Sequence, residues 1–511
     1  MSETGGPLQG NPTPAHSEQV HRSLVESGIY LLGKIAPVIT TLVMIRVLTS
    51  WYEAEEYGKY ATILALGMLL TSFGVGWLQM ALLRLYPQRR NAGELKDLVF
   101  STWFGCGVTC VAGVVVCVVL WMFRNSPVGE KLEFGYAGWT CLVFLSTLVF
   151  VVATTFLRVR RQVLGYSVAH TIESFGKLGA VIGMTLIFGA AATSLLLGYS
   201  AAVTLVTVGT IWWVHESAKA SETRVTVKRS VFPVKTLQAM FAFGFPLSLA
   251  QFCSQFLNLS DRYLITVLVG EAEAGVYSVG YDLADLAVRL IILSVNLSAY
   301  TAVLECFEKQ GRGPAERLAT SLSRVYLILA CPIAVGCGLV ANDVIVLLAD
   351  PEYARGGSIM VWVAGSTLLM GLTQFQNLGL HIGHRTGTLS LVMGLAAVAN
   401  VVLNVYLIPF YGYQTAAYTT LACYCLLAVV FPFCARDVFT WRVPWRCMGR
   451  IGVALTGMSI AVDALGFVLG DKTLGLMGRI LVGAIVYSGI LILLGEIPKQ
   501  EIVRFLRRTR F

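Results

Sequence analysis

The sequence predicts an all-α polytopic membrane protein of about fourteen transmembrane helices, in two six-helix lobes followed by a C-terminal helix pair. Three observations predict it. Of 511 residues, 56% are hydrophobic and only 13% charged, with a mean hydropathy of +0.71; a soluble fold could not keep so much apolar surface from water. Apolar runs of about 20 residues, the length that crosses a bilayer, recur along the whole chain. Basic residues collect in alternate connections between those runs.

The runs fall near 28–48, 58–83, 98–122, 136–157, 166–188, 193–214, 240–268, 274–303, 322–341, 357–380, 387–408, 412–434, 450–470 and 474–494. The longest polar stretches, 1–27 and about 215–237, leave no room for a soluble domain. The predicted organisation is a disordered cytoplasmic tail over 1–27, an N-lobe over 28–214, a cytoplasmic linker over 215–237 and a C-lobe over 238–434. A cytoplasmic loop over 435–449, the helix pair over 450–494 and a basic amphipathic tail over 495–511 complete it. The first 27 residues lack the apolar core of a cleaved signal, so the first helix directs insertion.

Most Lys and Arg lie in the tails and the even-numbered connections. Arg84, Arg89, Arg90 and Lys96 follow the second run; Arg158, Arg160 and Arg161 follow the fourth. Lys219, Arg224, Lys228, Arg229 and Lys235 follow the sixth, and Arg436, Arg442, Arg446 and Arg450 follow the twelfth. The positive-inside rule then places both termini of this multi-pass protein in the cytoplasm. This distribution accounts for the net charge of +9 without a nucleic-acid partner.

Taken in order, the first run contains Lys34 and Pro37 and ends near Arg46. Lys34 either snorkels to the cytoplasmic headgroups or faces a cavity. The fifth run carries Glu173 and Lys177 four residues apart, which reads equally as a structural ion pair or as a coupling or substrate site. The seventh and eighth are the most informative. Ser248, Gln251, Gln255, Asn258 and Arg262 recur at steps of three and four, as do Ser278, Asp282, Asp285, Arg289 and Asn296. Each set occupies one helical face. A charge inside an apolar span costs about 2.5–3.5 kcal/mol on insertion scales, so two wet faces on neighbouring helices imply a polar pathway through the membrane.

Later runs add a polar stripe of Thr367, Gln374, Asn377 and His381, and Asn400 and Asn404 on one face. Asp463 and Arg479 are the charges of the final pair. An internal echo supports two lobes: Glu56-Tyr57-Gly58-Lys59-Tyr60 opens the second run and Glu273-Ala274-Gly275-Val276-Tyr277 opens the eighth. The 12 cysteines sit mostly within apolar runs without CxxC spacing, as buried fillers. No GxxxxGK[ST], HExxH, GxSxG or DxD is present. Neither a cofactor nor catalysis is expected, and the sequon Asn296-Leu297-Ser298 lies mid-helix.

The phrases RVLTSWYEAEEYGKYA, FLRVRRQ, FGFPLSLAQF, LSDRYLI, GEAEAGVYSVGYDLA, DPEYARGG and YGYQTAAY, in this order between about 24 and 435, resemble the polysaccharide repeat-unit (Wzx-like) flippases. These are secondary transporters of the multidrug/oligosaccharidyl-lipid/polysaccharide (MOP) superfamily. The resemblance implies a MATE/MOP-like alternating-access architecture. It implies a place in a bacterial inner membrane and a lipid-linked oligosaccharide substrate, with undecaprenyl diphosphate as carrier, flipped to the outer leaflet. Membrane lipids, a polysaccharide polymerase and glycosyltransferases are the implied partners. The final pair resembles that of lipid II flippases, where such helices help to form a groove for the lipid tail. Drug exporters of the superfamily rely on an acid in the first helix, where this chain has Lys34.

On this reading Arg262 and Arg289 suit a diphosphate, because guanidinium binds such oxygens bidentately; Lys34 and Lys177 are further candidate cations. Gln251, Gln255, Asn258 and Asn296 suit sugar hydroxyls. Asp261, Asp282, Asp285 and Glu173 restrain the cations or exchange ions, the alternative being that Asp285 and Arg289 merely fix their helix. The rival functions are a cation-coupled exporter of small amphiphiles, a lipid II-type flippase, and a membrane-embedded glycan polymerase or ligase, which would want a large outer loop.

Overall fold

Long apolar stretches without a competing strand pattern fold here into helices that satisfy their own backbone, as a bilayer demands. The structure is a computed structural model, describing residues 36–91, 95–221, 234–469 and 473–496. Its helices are α1 (Ala36–Trp51), α2 (Ala54–Asn91), α3 (Leu95–Met122), α4 (Pro127–Lys131), α5 (Ala137–Val159), α6 (Val163–Phe188) and α7 (Ala192–Ser221). There follow α8 (Val234–Leu268), α9 (Glu271–Gln310), α10 (Arg312–Leu339), α11 (Ala341–Leu348), α12 (Gly357–Gln376) and α13 (Leu378–Ile382). The last are α14 (Thr386–Tyr411), α15 (Gln414–Ala435), α16 (Trp445–Leu469) and α17 (Thr473–Leu493). No strand occurs among the described residues.

Twelve described helices are long and apolar enough to cross a membrane. Two more predicted positions, α1 and α9, are helical: α1 is described over 16 residues, and α9 runs for 40, about 60 Å at 1.5 Å per residue. The segment between α7 and α8 is shorter than the 215–237 read from composition, because α7 continues to Ser221 and α8 starts at Val234. Much of the tail predicted from 495 lies outside the described residues.

The centre of the bundle is where α2 packs along α8 and crosses α9. The sequence makes room for this with glycine. A β-carbon on Gly244 would lie 2.1 Å from the Trp77 carbonyl oxygen, so only glycine lets the two backbones touch. Gly58 and Gly275, the matched glycines of the internal echo, meet each other. A β-carbon on Gly58 would stand 1.8 Å from the Glu271 carbonyl oxygen, and one on Gly275 would stand 2.1 Å from that of Ala54. The echo is therefore one crossing contact seen from both sides.

That crossing closes one end of the bundle, which holds the starts of α2, α9 and α12. Bonds between the two halves reinforce it. Lys59 Nζ lies 3.3 Å from Glu271, Ala54 N–H donates to Glu352 at 3.3 Å, and the Tyr353 hydroxyl donates to the Tyr52 carbonyl at 2.9 Å. Arg46 donates to the Ala349 carbonyl at 3.3 Å, so it links α1 to this cluster. The opposite end carries Arg158, Arg160, Arg161, Arg312 and Arg436 and is called the basic end below.

The pair α16–α17 leans on α10. Arg479 pairs with Asp343 and donates to the Leu339 carbonyl at 3.2 Å, while the Tyr487 hydroxyl donates to the Ile328 carbonyl at 2.9 Å. Near the basic end Glu496 binds both Arg324 and Arg450, the latter at 2.7 Å. Between these pins lies an apolar cavity of about 560 Å³, lined by Leu290, Pro332, Val462 and Ile480 among others.

Candidate functional site

The wet faces read from α8 and α9 converge on a cavity of about 340 Å³, closed by α1, α2, α6 and α7. Arg262 reaches it from α8, the Asp282, Asp285 and Arg289 face from α9, and Lys177 from α6. Thr40 and Thr41 of α1 and Tyr57 and Tyr60 of α2 complete the polar lining.

Each cation has its own acid. Arg289 grips Asp285 with two bonds, Nε to Oδ2 at 2.6 Å and Nη2 to Oδ1 at 3.0 Å, and the Thr367 hydroxyl donates to the same Oδ1 at 2.9 Å. Arg262 pairs with Asp282 and lies 5.2 Å from the Tyr281 ring. Its Nε is buried and makes no hydrogen bond among the described residues. Lys177 Nζ lies 2.7 Å from Glu173 and 5.2 Å from the Tyr199 ring, with His170 Nδ1 behind at 3.8 Å from Glu173. The Arg289 side chain is 39% exposed and that of Arg262 only 8%. Arg289 is thus the accessible guanidinium and Arg262 the fixed one.

Several sequence-predicted residues separate. Gln255 and Asn258 line this cavity; Gln251, about one turn before Gln255 on α8, lies in a second one. Asn258 accepts from the Tyr424 hydroxyl at 3.0 Å and donates to the Ser254 carbonyl at 2.9 Å. Ser248 packs against α2 at Gly76 rather than facing the cavity. Lys34 lies outside the described residues, and so does the side chain of Asn296 on α9.

Asp261 makes no hydrogen bond or ion pair with either arginine among the described residues. It is fully buried and accepts from Asn404 at 2.8 Å, from Thr420 at 2.9 Å and from Tyr277 at 2.9 Å. Asn404 also donates to Asn400 at 3.2 Å. Successive helical residues point about 100° apart, so Asp261 and Arg262 cannot share a face. The carboxylate turns into the C-lobe and the guanidinium into the cavity.

Tyr57, Tyr60, Tyr199 and Tyr281 are lining residues that sequence reasoning missed. Tyrosine in an apolar run reads as core, and these four are indeed buried. Tyr57 and Tyr60 left a trace within the internal echo, and Tyr281 within the phrase GEAEAGVYSVGYDLA.

Comparison with known proteins agrees with this architecture. A lipid II flippase, MurJ, in an inward closed conformation superposes with a TM-score of 0.71 at 14% identity, covering 93% of this chain and 99% of its own. An inward-facing MATE multidrug transporter of the MOP superfamily gives 0.59 at 13% identity over 80% and 94%. A MATE transporter from Vibrio cholerae gives 0.56 at 13% identity over 82% and 97%. At such identities these likenesses show the fold alone. No curated protein sequence matches the chain. The profile of polysaccharide biosynthesis proteins matches residues 22–302, more than half of the 511. With that match over more than half of its length, the chain belongs to the polysaccharide biosynthesis protein family.

Proposed function

We propose that the protein flips undecaprenyl-diphosphate-linked oligosaccharide repeat units from the cytoplasmic to the outer leaflet, for surface polysaccharide synthesis. The observation that carries this is the convergence of Arg262, Arg289 and Lys177 on one cavity between long helices of the bundle. Each cation is balanced by its own acid, as a charge in an apolar bundle must be, and a diphosphate can take bidentate bonds from guanidinium.

The remaining parts fit around that step. The basic end faces the cytoplasm by the positive-inside rule, so the closed crossing of α2 and α9 faces outward and the substrate enters from the cytoplasmic side. The apolar cavity beside α16–α17 offers the polyprenyl chain a path next to the headgroup. Asp261, caged by amide and hydroxyl groups of α9, α14 and α15, is the candidate ion-coupling group.

The test separates substrate binding from helix fixing. Asp285→Asn with Arg289→Gln leaves no stranded charge, so a merely structural pair can be replaced without loss. The proposal expects the double variant to reach wild-type levels in the membrane and to accumulate lipid-linked intermediates on the cytoplasmic side. Normal surface polysaccharide from the double variant would remove Arg289 from the site.

A further inference from the structure

Along α8 towards the basic end, the chemistry of the lining changes. A second cavity, of about 310 Å³, is enclosed by α8, α12, α14 and α15 with Met80 of α2. Its volume is at the lower end of small-molecule sites, about 300–1,000 Å³. Its polar groups are those of Gln251, Ser254, Thr373, Gln374, Asn377 and His381, with hydroxyls of Thr386 and Tyr424. No Asp, Glu, Lys or Arg lines it, whereas the first cavity is lined by five such residues, Lys177, Arg262, Asp282, Asp285 and Arg289.

The two cavities adjoin. Asn258 lines the charged one and accepts a hydrogen bond from Tyr424, whose side chain lines the neutral one. Gln251 and Asn258 are seven residues apart, about 10 Å along the helix. Gln251 and Gln374 are exposed although both sit on membrane-spanning helices. A primary amide facing lipid would lose its hydrogen bonds, so both face a wet lumen. Gln251 makes no side-chain hydrogen bond among the described residues.

Resting on the diphosphate reading above, we infer that this second cavity binds the sugar next to the diphosphate and selects an uncharged one. Amides and hydroxyls both donate and accept, which matches sugar hydroxyl and acetamido groups. The carboxylate of an acidic sugar would give up its water there with no fixed cation to face. The charged cavity holds the anionic end of the headgroup, and the neutral cavity reads its first sugar.

The test uses the full chain in lipid nanodiscs at pH 8, where an ordinary imidazole is neutral. Calorimetric titration compares three soluble probes: citronellyl diphosphate, the same diphosphate bearing N-acetylglucosamine, and the same bearing glucuronic acid. The neutral-sugar probe should bind at least about tenfold tighter than the sugar-free one, and the acidic-sugar probe no tighter. Gln251→Leu with Asn377→Leu should erase that gain and leave the sugar-free affinity unchanged, which also shows that the variant is folded. A gain absent from the wild type, a gain surviving in the variant, or an equal gain for the acidic sugar would each overturn the inference. Arg289→Ala tests the underlying reading separately. If it binds the sugar-free probe as the wild type does, the diphosphate assignment fails while the sugar gain is still read. Binding of no probe by the wild type overturns both.

Discussion

Gly275→Ala should open the closed end of the bundle. The new β-carbon would stand 2.1 Å from the Ala54 carbonyl oxygen and 3.1 Å from the Gly58 nitrogen. Close carbon–oxygen contacts between helices settle near about 3.3 Å, so the backbones must part by roughly 1.2 Å. Both obstructing atoms are backbone and cannot rotate aside. Overpacking of this kind costs about 1–3 kcal/mol. The separation also stretches the Lys59–Glu271 and Ala54–Glu352 contacts, each already 3.3 Å. A conformation with this crossing parted escapes the strain, so alanine favours it by about 5–150-fold. Spin labels at Glu130 and Tyr411, both exposed at this end, report the change as a longer distance by pulsed electron resonance in a cysteine-depleted background. Gly107→Ala is the control: a β-carbon there meets nothing within 4 Å, and the helix gains up to about 1 kcal/mol of propensity. Distance distributions that coincide for the wild type, Gly107→Ala and Gly275→Ala would refute the crossing as the closure.

Two further outcomes are expected. Beyond the end of α17, burial pushes the Glu496 carboxyl up, and hydrogen bonds from Cys447, Arg450 and Arg324 more than offset this, holding it below the usual carboxylate range. A depressed carboxyl contributes stability that is present above its unfolded value, about 4.3, and lost as pH falls through the folded one. Glu496→Gln should therefore lower the unfolding midpoint at pH 7, and the gap to wild type should close below about pH 4; the same gap at both pH values contradicts the account. Arg289→Lys should retain only part of the export activity, because a point charge replaces a planar fork; full activity in complementation would show that the fork is not used.

The helices were legible because their signal is local: a run of about 20 apolar residues has few alternatives. Register on a helix was legible too, and it brought Arg262, Asp282, Asp285 and Arg289 to one cavity from sequence spacing alone. What spacing could not give is where one face stops being one environment. The α8 stripe passes from packing against Gly76 at Ser248, to a neutral pocket at Gln251, to the charged cavity from Gln255 to Arg262. Those divisions are drawn by α2, α12 and α15, which are distant in the chain. Asp261 shows the same limit. The sequence groups it with the acids that restrain the cations or exchange ions, whereas its hydrogen-bond partners Asn404 and Thr420 come from α14 and α15.

On the function proposed above, the charge balance of the cavity constrains how a diphosphate would enter it. Lys177, Arg262 and Arg289 are already matched by Glu173, Asp282 and Asp285. A diphosphate must take its bonds from the arginines while two carboxylates remain beside it. At about 5 Å and an effective dielectric near 20, each like-charge pair costs about 3 kcal/mol. One charge-assisted hydrogen bond contributes about 1.5–3 kcal/mol. Repulsion therefore cancels most of the gain unless the carboxylates are neutralised as the diphosphate arrives. Binding of citronellyl diphosphate should be accompanied by uptake of about one or more cations, either protons or sodium. Titration calorimetry in buffers of different ionisation enthalpy counts the protons, and a sodium series at constant ionic strength counts the metal. Asp282→Asn should reduce the uptake by about one while leaving the Asp285–Arg289 pair in place. An affinity that changes with neither pH between about 6 and 8 nor sodium would mean that the carboxylates swing clear of the diphosphate, and the charge argument would fail.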